Sequence, residues 1–298
     1  MQREPHKNSR LEFRQSPGCA FHVHGVGCAQ CQRNVTNGYD EGLGYLTAYA
    51  LFKSMHLGDR FDEKKALQLT FDFLCIIAAM LDMQKNLDAA TTKAIVKFEA
   101  LPAKDRSVRL PALGDASHRC AAFTQKIGHA VDTLEKIAHL FYPGEITKKW
   151  VDSLTALLVT KHGEDAPVTR AMRERGPVIL RLLKLRNMVE HPKEGDRITV
   201  HDFKLLSSMD LLVPSVAIER PDEDPATAPR VSLIEQVRNA LVDEAESLFG
   251  LLVAANVQPF SKFKVCLIEL PKDRRPKWNP HQRLSYGIEM NGQVQPLG

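Results

Sequence analysis

The apolar period of this chain changes at Pro192, and that change constrains the fold more than any other feature. Before it, three segments repeat apolar residues at helical spacing. The first, about 117–141, carries Phe123, Ile127, Val131, Leu134 and Ala138. The second, about 145–161, carries Ile146, Trp150, Leu154 and Leu158. The third, about 167–190, carries Val178, Ile179, Leu182, Leu185 and Val189. After Pro192, Arg197 to Leu205 alternates like a strand, Ser207 to Asp210 reads as a turn, and Leu211 to Glu219 reads as the return strand. The acidic, Pro-containing stretch ERPDEDPATAP is too polar to bury and reads as a linker. Ser232 opens a last helix to about Ala255, with Ile234, Val237, Leu241 and Leu248. Short connections between these segments predict a mainly α fold: an antiparallel helical bundle over 117–257 with a β-hairpin insertion at 197–219.

An additional helical region, 39–110, precedes the bundle. Residues 39–57 place Leu43, Leu46, Ala50 and Leu51 at helical spacing. Asp62 is an N-cap for a buried helix over 63–82, and a further helix over about 86–101 stops near Pro102. Residues 102–116, with two Pro and a Gly, mark the boundary before the bundle. Residues 1–38 read as a polar tail holding a Cys/His cluster, and 258–298 as a basic C-terminal extension with a short strand-like stretch at Phe263 to Leu270. The longest apolar run, Phe73 to Leu81, is short of the roughly 20 residues a membrane span needs. The polar N-terminus has no apolar signal core, and the six cysteines form no secreted framework. A cytoplasmic protein with no membrane partner is the expectation. The net charge of +4, from 40 cations against 36 anions, permits a nucleic-acid partner without demanding one.

At the end of the third bundle helix stands Leu185-Arg186-Asn187-Met188-Val189-Glu190-His191-Pro192. Asn187 and His191 are four residues apart and share a helical face. Arg186 and His191 are about 140° out of phase on a regular helix. They converge only if the last turn opens, and Pro192 favours that by biasing His191 away from α geometry. A His suits proton transfer because its pKa, about 6.5, lies near neutral pH. An Arg suits a phosphate because its planar fork binds two oxygens at once. The plain alternative is a capping pair: Arg186 lying along Glu190, with His191 at the negative end of the helix dipole.

This stretch resembles the Arg-Asn-x-x-x-His signature of the HEPN domains (higher eukaryotes and prokaryotes nucleotide-binding). The resemblance covers about 117–257, roughly half the chain. It implies a metal-independent ribonuclease that uses the RNA 2′-hydroxyl against the adjacent phosphorus and leaves a 2′,3′-cyclic phosphate. Arg186 and His191 would be the reacting pair and Asn187 their support, with no cofactor. It further implies a homodimer with two motifs across a shared cleft, toxin–antitoxin or phage-defence biology, and an antitoxin or regulatory protein as partner. The second reading is a non-catalytic HEPN-like module that binds a nucleotide, RNA or a protein.

Other constellations point less sharply. Cys19, His22, His24, Cys28 and Cys31 offer five ligands within thirteen residues, and Cys28-x2-Cys31 is a zinc-like spacing. The second Cys pair or distant His pair of a zinc finger is missing, so free thiols in a surface segment are the alternative. Arg274 and Arg275 before His281 repeat the loose Arg–His pattern in a Pro-broken loop, which argues against a site there. Lys104, Arg106, Arg109 and Lys277 read as solvated loop charge, although Trp278 in the latter stretch could stack on a base. Asp132 and Glu135, on the first bundle helix, could orient the histidine or simply face solvent. Trp150 and Phe123 read as core.

Overall fold

The computed structural model describes residues 48–52, 57, 61–102, 110–193, 197–205, 211–220, 223–258, 263–277, 282, 284–290 and 293–296. Most of them are helical. Asp62 caps α1 (Glu63–Glu99), its carboxylate accepting from the Lys65 amide at 3.0 Å. The two helices expected over 63–82 and 86–101 are one. Between them the chain reads Met83-Gln84-Lys85, without Pro or Gly, so nothing breaks the backbone pattern. By length and composition α1 could cross a membrane. Its Ala66, Phe73, Ile77 and Met80 are instead buried in the core against other helices.

Helix α2 (Ala116–Phe141) ends where Gly144 takes a positive φ of 77° beside Pro143. Helix α3 (Trp150–His162) starts five residues later than its apolar pattern suggests. Residues 145–149 are exposed except for Ile146, and Ser153 Oγ accepts from the Thr147 amide at 3.1 Å. Gly163, at φ 92°, turns the chain into α4 (Pro167–Glu190), which opens with Pro at its first position. Gly176 lets α3 and α4 approach closely, because a Cβ there would meet Val151 at 2.8 Å. The last helix is α5 (Arg230–Asn256). Helix α4 packs on α2, α3 and α5, and α1 packs on α2 and α5. Phe61 stacks on Phe141 at 4.6 Å, bringing the start of α1 to the end of α2. Arg175 reaches Glu244 while Arg238 reaches Gln84, which fixes α5 between α4 and α1.

The hairpin after Pro192 is present. β1 (Arg197–His201) pairs antiparallel with β4 (Ser215–Arg220), with Arg197 opposite Glu219 and His201 opposite Ser215. A two-residue ladder, β2 (Lys204–Leu205) with β3 (Leu211–Leu212), lies between them. The stretch expected to be a linker is a strand, β5 (Glu223–Pro229), which pairs with β4. It forms the edge of the sheet β1-β4-β5, where prolines cost least because an outer amide needs no ladder partner. Asp202 ties the hairpin to the lead-in of α2, its carboxylate accepting from the Leu113 amide at 2.8 Å and the Gly114 amide at 3.3 Å.

The basic extension also folds. β6 (Lys264–Glu269), β7 (Leu284–Met290) and β8 (Gln293–Pro296) form a second antiparallel sheet. Its Val265 and Tyr286 are buried, and Leu284 meets α5 at Gly250. The Tyr286 hydroxyl donates to the Leu51 carbonyl at 2.5 Å, linking the sheet to helical residues 48–52. One core therefore runs from Ala48 to Tyr286 and takes in residues of α1 to α5. Replacing fully buried Leu134 with Ala should cost about 2–5 kcal/mol. Tyr286→Phe should cost about 0.5–1.5 kcal/mol, and Val294→Ala, half-exposed on β8, under about 0.5 kcal/mol. Urea unfolding of the three variants checks this order.

Candidate functional site

The motif sits at the C-terminal end of α4, beside the β1-β4-β5 sheet. Helix geometry stops at His191, which leaves it with φ −136° and ψ 64° while its amide still donates to the Asn187 carbonyl at 2.8 Å. The helix therefore ends at the histidine, as the following proline favours, but the hydrogen bond of its last turn stays closed. His191 and Asn187 are exposed, and the Arg186 side chain is 38% exposed. Among the described residues, no hydrogen bond or ion pair holds the imidazole.

Arg186 has a defined path. Its stem crosses α2 at Gly128, where a Cβ would lie 3.4 Å from Nε. The guanidinium then pairs with Glu190 at 2.6 Å and donates to Asn187 Oδ1 at 3.3 Å. The Asn187 oxygen is thus engaged by the arginine and not by the His191 imidazole that shares its helical face. The Arg186–Glu190 contact is the capping pair anticipated as the plain alternative. It is a partly exposed i, i+4 ion pair, worth about 0.3–0.5 kcal/mol. A bidentate phosphate, making charge-assisted bonds of greater strength, can displace it.

Among the described residues, no hydrogen bond or ion pair ties the remaining candidates to this end of the molecule. Asp132 is exposed, and Glu135 lies 3.7 Å from His139 of its own helix. Arg275 Nε donates to the Leu270 carbonyl at 3.2 Å in the C-terminal region. Trp150 and Phe123 are core residues. The zinc candidates Cys19, His22, His24, Cys28 and Cys31, and also Lys104, Arg106, Arg109, Trp278 and His281, lie outside the described residues. Among those described, no three His, Cys, Asp or Glu side chains cluster as metal ligands would.

One polar feature escaped the sequence reading. A groove of about 520 Å³ opens between the first turns of α4, the second half of α5 and the C-terminal sheet, lined in part by Pro167, Arg175, Glu246, Leu251, Glu269 and Leu284. Arg175 in its wall donates to Glu244 at 3.1 Å. Glu244 is only 4% exposed, and its Oε2 has no hydrogen-bond partner among the described residues. The signal was a carboxylate among core positions, between Leu241 and Leu248 of α5. Arg175 and Arg186 are eleven residues apart, about 16 Å along the helix, so the groove is separate from the motif.

Compared with known proteins, the chain matches no family model, no curated protein sequence and no solved structure.

Glu244 gives this subsection its prediction. Burial raises its carboxyl above the ordinary value of 4.5, against the lowering pull of Arg175. The folded chain therefore holds this proton more tightly than the unfolded chain. As pH rises through the ordinary carboxylate range the unfolded chain ionises first, and stability falls until the folded group ionises too. Glu244→Gln keeps an acceptor for Arg175 but cannot ionise. It should gain stability relative to the parent between about pH 4 and pH 7. Urea unfolding of both proteins at the two pH values checks this, and a constant difference between them contradicts it.

Proposed function

We propose that the chain is a HEPN-like, metal-independent ribonuclease whose reacting groups are Arg186 and His191. The observation that carries this reading is the end of α4 at His191, just before Pro192. It leaves an exposed imidazole five residues from an arginine whose ion pair with Glu190 is weak. In the reaction, His191 takes the proton from a 2′-hydroxyl, or delivers one to the leaving 5′-oxygen. Arg186 turns from Glu190 to two oxygens of the phosphorane-like transition state, where its delocalised charge is most effective. Asn187 supports Arg186 through its side-chain oxygen. Two such ends brought together by a C2 axis would form a shared cleft from one self-complementary patch. Toxin or phage-defence biology, with an antitoxin or regulatory protein as partner, belongs to the same reading.

The Arg186–Glu190 pair favours a second reading, in which the same end is a packed terminus of a non-catalytic module that binds RNA, a nucleotide or a protein. Cleavage of mixed RNA in EDTA separates the two. On the ribonuclease reading the parent cleaves, and His191→Ala loses about 10²–10⁴-fold in rate. Arg186→Lys is similarly impaired, because an ammonium cannot make the two-point contact. Both variants should melt near the parent, since polar residues at an exposed helix end contribute about 0.5–2 kcal/mol. An intact RNA pool at every pH between about 5.5 and 8 supports the module instead. The ribonuclease reading also expects a dimer through the His191 end of α4, and light scattering that finds only monomer at tens of micromolar would count against the shared cleft.

A further inference from the structure

Helix α4 is charged in a way that its packing does not require. It carries Arg170, Arg173, Arg175, Arg181, Lys184 and Arg186 against two carboxylates, Glu174 and Glu190. This one helix thus holds a charge of +4, equal to the formal net charge of the whole chain. Arg175 is turned to buried Glu244, and Arg186 to Glu190. The other four lie on the solvent side. At 100° per residue, Arg170, Arg173, Arg181 and Lys184 fall within a sector of about 120° that also holds Asn187 and His191. Every one of these six residues is exposed, and both carboxylates fall outside the sector.

Helix stability does not explain the pattern. Arg170 closes the first turn, where the helix dipole disfavours a cation. Among the described residues Arg170 and Arg181 have no ion-pair or hydrogen-bond partner for their guanidinium groups. Arg173 has only Glu164, in a pair whose side chains are 44% and 68% exposed. From Arg170 to His191 is about 31 Å along the helix axis. The result is a row of positive side chains, interrupted at Pro177 and exposed Leu180, that ends at the histidine.

A second copy of this chain is a poor occupant for that row. A C2 contact sets a face against itself, so the four cations would meet their own copies, and like-charge juxtaposition is costly. A polyanion with regularly spaced charge fits it. We infer that the exposed face of α4 is a track for the phosphate backbone of single-stranded RNA, which enters near Arg170 and is delivered to the His191 end. This rests on the ribonuclease reading for its destination, but the track itself is a binding surface and can be tested without turnover.

The test uses the full chain carrying His191→Ala, in EDTA, with a dye-labelled single-stranded RNA of mixed sequence. Affinity is followed by fluorescence anisotropy across a salt series. The further change Arg170→Ala/Arg181→Ala should weaken binding by about tenfold at low salt. It should also make the log–log salt slope shallower by about 1.4, from about 0.7 per lost phosphate contact on a single strand. Lys148→Ala/Lys149→Ala removes the same charge from exposed residues ahead of α3, and should leave affinity and slope near the parent's. Equal losses in the two double variants overturn the track in favour of diffuse attraction. An unchanged affinity accompanied by a changed oligomeric state overturns it in favour of self-association. Tighter binding to duplex than to single-stranded RNA overturns the single-strand assignment. If the His191→Ala protein binds no RNA at all, the track and the ribonuclease reading fail together. If it binds through the track while the parent cleaves nothing, only the ribonuclease reading fails.

Discussion

The packing of α4 against three other helices is the constraint on which the rest of this molecule depends. Met172, Ile179 and Leu182 are buried along one stripe of the helix, and Met188 is buried near its end. The helix packs on α2, α3 and α5. Each such side chain, fully buried, is worth about 1.5–3 kcal/mol. The Arg186–Glu190 pair at the end of the same helix is worth a few tenths. Packing therefore fixes where the end of α4 lies, and the ion pair only sets where the guanidinium rests. An arrangement of this kind holds its backbone still while one side chain remains free to change partner, which phosphate chemistry requires of an arginine.

The two faces of α4 do different work. The inner face is apolar and closed by α3 at Gly176, where Val151 would leave no room for a side chain. The outer face gathers the chain's surplus positive charge. Between them, at the seam with α2, Arg186 runs over Gly128, where even a Cβ would lie in van der Waals contact with its stem. At the far end Pro192 stops the helix and His191 leaves α geometry before the chain turns into β1. Asp202, by holding the backbone ahead of α2, fixes the hairpin beside that end.

The helical bundle and the hairpin were legible because each has an internal period. Phe123, Ile127, Leu134, Leu154, Leu182 and Leu241 announced their helices, and all are buried. The strand at 223–229 was not legible. Its composition is acidic and rich in Pro, and its order comes from pairing with β4 rather than from its own side chains. The C-terminal sheet was half-visible: Phe263 to Leu270 reads as a strand, but its partners lie twenty residues on. α1 was split in the reading at Met83-Gln84-Lys85. In the fold these residues are a turn of one helix, with Met83 packed against the core and Gln84 accepting from Arg238. At the site, the position and exposure of His191 followed from Pro192. The engagement of Asn187 with Arg186, and the buried Glu244 beside its groove, depend on long-range geometry that no local spacing carries.

The central claim is that His191 and Arg186 together meet a phosphate. Side-chain NMR of the full chain, with an RNA carrying 2′-O-methyl groups that cannot be cleaved, tests it most directly. The account predicts that the His191 imidazole and the Arg186 Nε–H resonances shift together and saturate at one RNA concentration, as Arg186 leaves Glu190 for the phosphate. If the RNA binds while both resonances stay where they were, the end of α4 is a packed helix terminus and the account is wrong.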